Sequence, residues 1–512
     1  MVPRPPFWDM KMRILLAVTL FLMFLLPALA QDRVLRIGLR EDSDILDPTL
    51  GSSYVGRVVY AAMCDKLFDL DSRLNIVPQL AAGYRWDDPT HLVITLRPDV
   101  TFHDGTRLDA EAAKYKLNRD LTAKGSMRAG EINAVQSIEV VDPLTIRLVL
   151  KAPASQLLAQ LTDRAGIMIS PKAVEAMGDK FGNAPVCAGP YAFENRIAQD
   201  RIVLRRYPAH WDAKAVNFDQ IVYLPMPNSS VRLANLQAGS LDLVEYIAPT
   251  DVEAVRRDPK LKLQIGDGLG YTGINFNVAN GPAADSTVGR SALVRRAFEL
   301  AIDRTALIGV VFNGMFSPTA QANPSSSPFY DRDIQPPARD VAAAKALLAQ
   351  AGVTGRVKIE LTVTNSPEAS QAAEVIQAMV AEAGFDLVVR TMEFASSLQA
   401  GYSGTFQAYM IGWSGRSDAD GNMWALMHSK GTFNYGRHNN PEMDALLDAA
   451  RIETDTTKRR DIYAQVWKLQ RQDLPLVYLY TAKNIVGMKK GLDGFNQVPD
   501  GLIRVRGMTM AP

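Results

Sequence analysis

Apolar positions along this chain alternate between short continuous runs and stretches spaced three and four apart. That pattern is the mark of strands buried in sheets, interleaved with amphipathic helices. Val34 to Leu39 reads as a strand. Tyr54 to Leu67 reads as a helix with Val55, Val58, Val59, Ala62 and Met63 on one face. From Asp69 to Leu150 the elements shorten. Leu92–Leu96 and Thr145–Leu150 are strands bounded by turn signals such as Asp87-Asp88-Pro89 and Asp104-Gly105, and Asp109 opens a helix to about Leu121. This stretch predicts a compact α+β insertion. Leu157 to Ser170 then reads as a helix ending at Asp163-Arg164, followed by an apolar strand that Pro171 stops.

The second half is more regular. Strands are predicted at Arg201–Arg205, Ile221–Leu224 and Leu261–Ile265, and one amphipathic helix over Ser291 to Ile308. Asp340 caps a helix that ends at Gly352. Val357–Val363, a helix over Pro367 to Ala383, and Leu387–Val389 form a βαβ unit, which predicts a parallel pair. Helices at Pro441–Arg451 and Thr457–Gln472 and a strand at Leu476–Tyr480 come next. The fold class is α/β.

Within this half, Thr405 to Trp424 reads T-F-Q-A-Y-M-I-G-W-S-G-R-S-D-A-D-G-N-M-W. Phe406 to Ile411 suits a strand buried on both faces, and it stops at Gly412. Loops leaving the carboxyl ends of strands in open α/β sheets line the ligand crevice. A loop mixing tryptophan with arginine and aspartate suits a small molecule with apolar and ionic parts. A surface turn with Trp413 and Trp424 packed in the core is the competing reading.

Charge and length narrow the picture further. The chain has 56 basic against 55 acidic residues, with no basic stripe, so no nucleic-acid partner is expected. Arg4, Lys11 and Arg13 precede an apolar stretch, Ile14 to Leu26, and Ala28-Leu29-Ala30. This is the layout of a secretory signal peptide cleaved after Ala30, so a periplasmic location is expected. In an exported chain Cys64 and Cys187 favour a disulfide, with two buried thiols as the alternative.

Machinery for catalysis is missing from the sequence. Gly412-Trp-Ser-Gly-Arg and Gly401-Tyr-Ser-Gly-Thr both fail the nucleophile-elbow pattern at its last position. The histidines show no zinc spacing; His428 and His438 lie ten apart in a glycine-rich loop, an unspecific arrangement. Gly268, Gly270 and Gly273 satisfy G-x-G-x-x-G, but a strand-like Ile274 to Val278 stands where a dinucleotide site needs a helix. The expectation is no enzyme, no cofactor and no metal.

A set of motifs in order carries a resemblance: V-P-Q-L-A at 77–81, L-R-P-D-V-T-F-H-D-G-T at 96–106, A-G-P-Y at 188–191, N-L-Q-A-G-S-L-D-L at 235–243, R-R-A-F-E-L-A-I-D-R at 295–304, I-G-W at 411–413 and D-L-P-L-V-Y-L-Y at 473–480. The chain resembles the periplasmic solute-binding proteins for peptides and nickel (family 5, oligopeptide/dipeptide type) that serve ABC importers. The resemblance implies a two-lobed periplasmic-binding-protein fold, type II-like, three-domain and of cluster C, with mixed sheets flanked by helices. It implies a signal peptide at 1–30 and a discontinuous first domain at 31–70, 199–285 and 486–512. Domain II would be 71–198, and domain III, the second lobe, 286–485. It further implies a monomer that closes at a hinge around a small-molecule or peptide ligand and presents it to a membrane ABC permease complex.

In relatives that bind peptides, the G-W-x-x-D pattern places an aspartate three residues after the tryptophan, facing the peptide's α-amino group. Here that position is Arg416, whose fork favours a carboxylate or phosphate. Asp418 and Asp420 lie just beyond; one of them could take an amine, or Arg416 and Asp418 could pair. Arg164 falls where relatives bring a domain II loop to the cleft, and Trp413 would stack on planar ligand parts. Tyr54, Asn434 and Tyr435 are further ligand-binding candidates. The ligand implied is peptide-like and anionic. A metal chelate, haem, opine or sugar on the same scaffold is the alternative, and an exported hydrolase or chaperone the remote one.

Overall fold

The computed structural model describes residues 32–511, so the leader reading at 1–30 lies outside the described residues. Three sheets organise the chain from Val34 onward. The first has seven strands, in the order Leu261–Asp267, Lys483–Lys489, Leu243–Val244, β1 (Val34–Leu39), Gln220–Pro225, Arg201–Arg206 and Tyr191–Ile197. β1 is parallel to both its neighbours, and its side chains at Leu35, Ile37 and Leu39 are fully buried, as the apolar run requires. Helix α1 (Tyr54–Met63) packs beside this sheet, capped by the Ser53 hydroxyl, which accepts from the Gly56 amide.

A four-stranded antiparallel sheet is inserted in this half: Ala81–Asp88, His91–Leu96, Thr145–Leu150 and Val135–Asp142. Helix α2 (Ala110–Thr122), capped by Asp109, covers it and closes a separate apolar core. Cys64 and Cys187 are bonded, with their Cα atoms 4.9 Å apart, tying the end of α1 to the turn before Tyr191–Ile197.

The six-stranded sheet runs Ser317–Pro318, Leu476–Thr481, β2 (Tyr271–Phe276), then β5 (Ala408–Trp413), β3 (Val357–Thr364) and β4 (Phe385–Met392). β3 and β4 are parallel and joined by helix α3 (Pro367–Ala383), the βαβ unit expected from the pattern. Two further helices, α4 (Asp420–Met427) and α5 (Pro441–Ile452), come after β5.

The chain passes directly between the first and the six-stranded sheet at two places: 268–270, between Leu261–Asp267 and β2, and Ala482, between Leu476–Thr481 and Lys483–Lys489. The glycine motif lies at the first of these. A Cβ on Gly268 would stand 2.7 Å from the Ala482 carbonyl oxygen, and one on Gly270 2.0 Å from that of Trp413. Both glycines are therefore needed for close backbone approach, and the chain leaves Gly270 as the strand β2, not as a helix.

Several expected elements differ. The first helix ends at Met63, because Cys64 turns into its disulfide and Phe68–Leu70 pairs with Ile76–Pro78. Ser291 to Ile308 is two helices, Ala292–Leu300 and Arg304–Phe312, because Asp303 leaves the helical conformation to cap the Ala306 amide. Ile167 to Ile169 makes only single bridges, to Lys66 and Cys187. Pro171 opens a helix, Pro171–Met177, at its first turn, where a missing amide proton costs nothing. The strand predicted at Phe406 begins at Ala408 and runs on through Trp413, which pairs with Tyr271. Phe406 instead joins a small aromatic cluster with Tyr409, Phe433 and Tyr435.

Candidate functional site

β5 lies inside its sheet, between β2 and β3, and it delivers Trp413 to the wall of a cavity of about 260 Å³ that opens to solvent. It is lined by Tyr271, Trp413 and Tyr480 on the six-stranded sheet, by Lys483 and Asn484 on the seven-stranded sheet, and by Tyr54 on α1, Tyr246 and Tyr435. The walls mix aromatic rings with charged and hydroxyl side chains, among them Arg40, Glu41, Glu368, Lys483, Ser414 and Asp500. Trp413 is fixed from two sides: its indole N–H donates to the Asn422 side chain at 3.0 Å, and its ring meets Phe433 at a tilt of 58° with centroids 5.0 Å apart. Tyr54 donates its hydroxyl to the Gly501 carbonyl at 2.6 Å.

Behind this wall four buried guanidiniums converge on two carboxylates. Arg57 Nε donates to Asp163 Oδ1 at 3.0 Å, and its Nη1 to the Ser414 hydroxyl at 3.0 Å. Arg416 Nε lies 2.7 Å from Asp163 Oδ2, an ionic contact too bent to count as a hydrogen bond. Arg164 Nη1 donates to the Gly51 carbonyl at 2.9 Å, and Arg128 pairs with Glu131 at 2.5 Å. Arg57, Arg128, Arg164 and Arg416 are all buried, and the Nε groups of Arg128 and Arg164 have no hydrogen-bond acceptor. Four positive charges thus face Asp163 and Glu131, and Asp500, itself paired with Arg504, also acts on Arg57.

Burial pulls Arg416 down to about 9, against the pull of Asp163, and Arg164 down to about 10, with Arg128 adding to the effect. Both stay charged at neutral pH. For Asp163, burial acts upward, but Arg416, Arg57 and Arg164 outweigh it and hold the carboxyl well below the usual range. The turn bearing Arg164 is pinned from beneath. Lys116, fully buried on α2, donates to the Arg164 and Ala165 carbonyls at 2.9 and 2.8 Å and pairs with Asp120.

The candidates read from the sequence therefore separate. Trp413, Tyr54 and Tyr435 line the cavity. Arg416 and Arg164 meet at Asp163 beside it. Asp418 does not pair with Arg416: both its oxygens take the Arg459 guanidinium, at 2.7 and 2.6 Å. Asp420 is likewise taken by Arg451. Asn434 spends its amide inside its own loop, donating to the His428 and His438 carbonyls and accepting from the His438 amide. Asp418, Asp420 and Asn434 are thus partnered within the protein, and none of them is among the residues lining this cavity.

Arg57 and Arg128 escaped the sequence reading, which marked Asp163 only as a helix end beside Arg164. Arg57 left a signal, since it stands among Val55, Val58 and Val59 on an otherwise apolar helix. Arg128 left none, because its loop reads as an ordinary polar turn.

Comparison with known proteins adds to this geometry. The model for "Bacterial extracellular solute-binding proteins, family 5 Middle" matches residues 75–434. A glutathione-binding protein, GsiB, of Pectobacterium atrosepticum is 28% identical over 490 residues, 92% of this chain and 93% of that protein. Among solved structures, the binding protein AgaA in complex with agropinic acid, from A. tumefacien R10, superposes with a TM-score of 0.85 at 25% identity, covering 94% of this chain and 99% of its own. The murein tripeptide binding protein MppA of Escherichia coli shares the fold with a TM-score of 0.87 at 21% identity, covering 94% and 99%.

Proposed function

This chain belongs to the bacterial extracellular solute-binding proteins of family 5, binding proteins rather than enzymes, and from that premise we propose that it captures a peptide-like solute bearing carboxylates and hands it to an ABC importer. The observation that carries this reading is the buried excess of guanidinium in the cluster of Arg57, Arg128, Arg164 and Arg416 against Asp163 and Glu131. Unneutralised buried charge is costly, so an anion entering beside Trp413 and Ser414 gains more there than in water. Guanidiniums are suited to this by their planar fork, which matches a carboxylate.

The names of two relatives agree in chemistry. Glutathione carries two carboxylates, and agropinic acid is an acid by name. Trp413 supplies a flat apolar surface for the uncharged middle of such a ligand. The two chain crossings at 268–270 and 482 act as the hinge, and closure places the ligand between domains I and II on one side and domain III on the other. The closed, loaded form is what the permease recognises, and the protein acts as a monomer in the periplasm.

Titration calorimetry of ligand-stripped protein tests this. Glutathione is expected to bind, and converting both its carboxylates to amides is expected to lower affinity at least tenfold. Equal binding of acid and diamide overturns the reading.

A further inference from the structure

Among the described residues, 271–481 are joined covalently to the rest of the chain only through 268–270 and 482. All other bonds between these two halves are non-covalent, and one set has the form of a plug in a socket. The plug belongs wholly to the half with the six-stranded sheet. Arg451 on α5 grips both oxygens of Asp420 on α4, and its guanidinium carbon lies 3.8 Å from the Trp424 ring centroid. Trp424 is itself fixed by the stacked His428 ring and by donating its indole N–H to Asp448 at 2.9 Å.

The socket belongs to the inserted unit, whose apolar core includes Ile132, Val135, Leu157 and Leu161. The Gly130 carbonyl and the Asn133 side chain accept from Arg451 Nη1 at 3.0 and 2.9 Å. Ser155 gives its amide and its hydroxyl to the Arg451 carbonyl at 3.0 and 3.1 Å, and Gln160 donates to Asp420 at 3.0 Å. Trp424 lies so close over Gly130 that a Cβ there would stand 2.9 Å from its ring. Gly130 has no positive φ, so this close approach, and not the backbone, calls for glycine.

Two properties make this contact separable. The Arg451–Asp420 pair lies within one half, so parting the halves wets the pair without breaking it. Its side chains are already ordered when the halves meet, which lowers the cost of closing. In addition, Gly130, Asn133, Ser155, Gln160, Asp420 and Arg451 do not border the cavity beside Trp413. The contact therefore needs no ligand to form.

We propose that this plug and socket is a latch that holds the two halves together without ligand, and so sets how much of the empty protein is already closed. This rests on the reading of 268–270 and 482 as a hinge, and not on the identity of the ligand. A ligand that fits the closed arrangement binds more weakly as the share of closed protein falls. The latch thereby tunes affinity from outside the cavity.

The test places spin labels on Ser137→Cys and Lys468→Cys, exposed positions on opposite halves, and measures their separation by pulsed spin resonance in ligand-free protein. The otherwise wild-type protein is expected to show two separations, the shorter being that of the described arrangement. Gly130→Leu, which wedges the socket against Trp424, is expected to cut the shorter population at least fivefold. Asn133→Ala/Gln160→Ala removes two bonds with no steric load, and is expected to cut it at least twofold even if the wedge does not fold. Either of two results overturns the latch: ligand-free wild type showing only the longer separation, or the Asn133→Ala/Gln160→Ala variant keeping the wild-type share of the shorter one. The longer separation alone in empty protein, shortened by glutathione, sinks the latch and leaves the hinge standing. One short separation in wild type and every variant sinks the hinge reading as well.

Discussion

Arg416 is the residue on which the site turns. Its neighbours in sequence suggested a pairing with Asp418, whereas in space it reaches Asp163, and its guanidinium carbon lies 4.6 Å from the Trp413 ring centroid. Arg416→Asp is expected to weaken binding of glutathione at least tenfold in calorimetry, because it reverses the charge beside Asp163. An unchanged affinity would remove Arg416 from ligand recognition. Asp163 makes a second prediction. Its folded pKa lies below the unfolded value near 3.9. The stability it contributes is therefore complete above about pH 4 and lost as pH falls through the lower folded value. Asp163→Asn leaves three buried arginines short of a counter-ion, and is expected to cost about 3–5 kcal/mol at pH 7. Calorimetric melts should show the gap to wild type narrowing below about pH 4. A gap that is constant with pH would mean that the carboxylate is not the stabilising group.

At the scale of elements, the contact between α5 and the inserted four-stranded unit stands out. Arg451 on α5 holds both oxygens of Asp420, at 2.6 and 2.9 Å, and reaches across to the Gly130 carbonyl and Asn133 at 3.0 and 2.9 Å. Its own carbonyl accepts from the Ser155 amide, and its guanidinium lies 3.8 Å from the Trp424 ring centroid. Gln160 adds a bond to Asp420 from the inserted side. This set of contacts joins the insertion to the helices after β5. Arg451→Leu is expected to raise amide exchange in residues 127–135 and 155–161 and to weaken ligand binding, while β3 and β4 stay protected. Exchange unchanged in those segments would show that the join does not hold the insertion.

For the whole molecule, the Cys64–Cys187 bond closes a loop of 123 residues around the inserted unit. In the chain-entropy account a loop of that length contributes about 4–5 kcal/mol. A Cys64→Ala/Cys187→Ala variant is expected to unfold at a lower urea concentration with its ligand affinity intact, since neither sulfur borders the cavity. Ligand at 100 times its Kd should add about 2.7 kcal/mol in either form, readable as a rise in melting temperature. If the bonded and unbonded forms melt together, the loop constraint is offset elsewhere.

The apolar pattern by itself determined most elements and the α/β class. Val34–Leu39, Thr145–Leu150 and Pro367–Ala383 have the ends the sequence predicts, because burial, capping and proline placement there act locally. It also marked β5 and Trp413, since a strand between two neighbours must be apolar throughout. Only the tertiary structure decided which charge meets which. Asp163, Arg57 and Arg416 lie on three distant segments, and Coulomb attraction depends on separation in space, which a sequence does not carry. For the same reason Asp418 and Asn434 read as free groups until the fold gave their atoms to Arg459 and to the turn around His438.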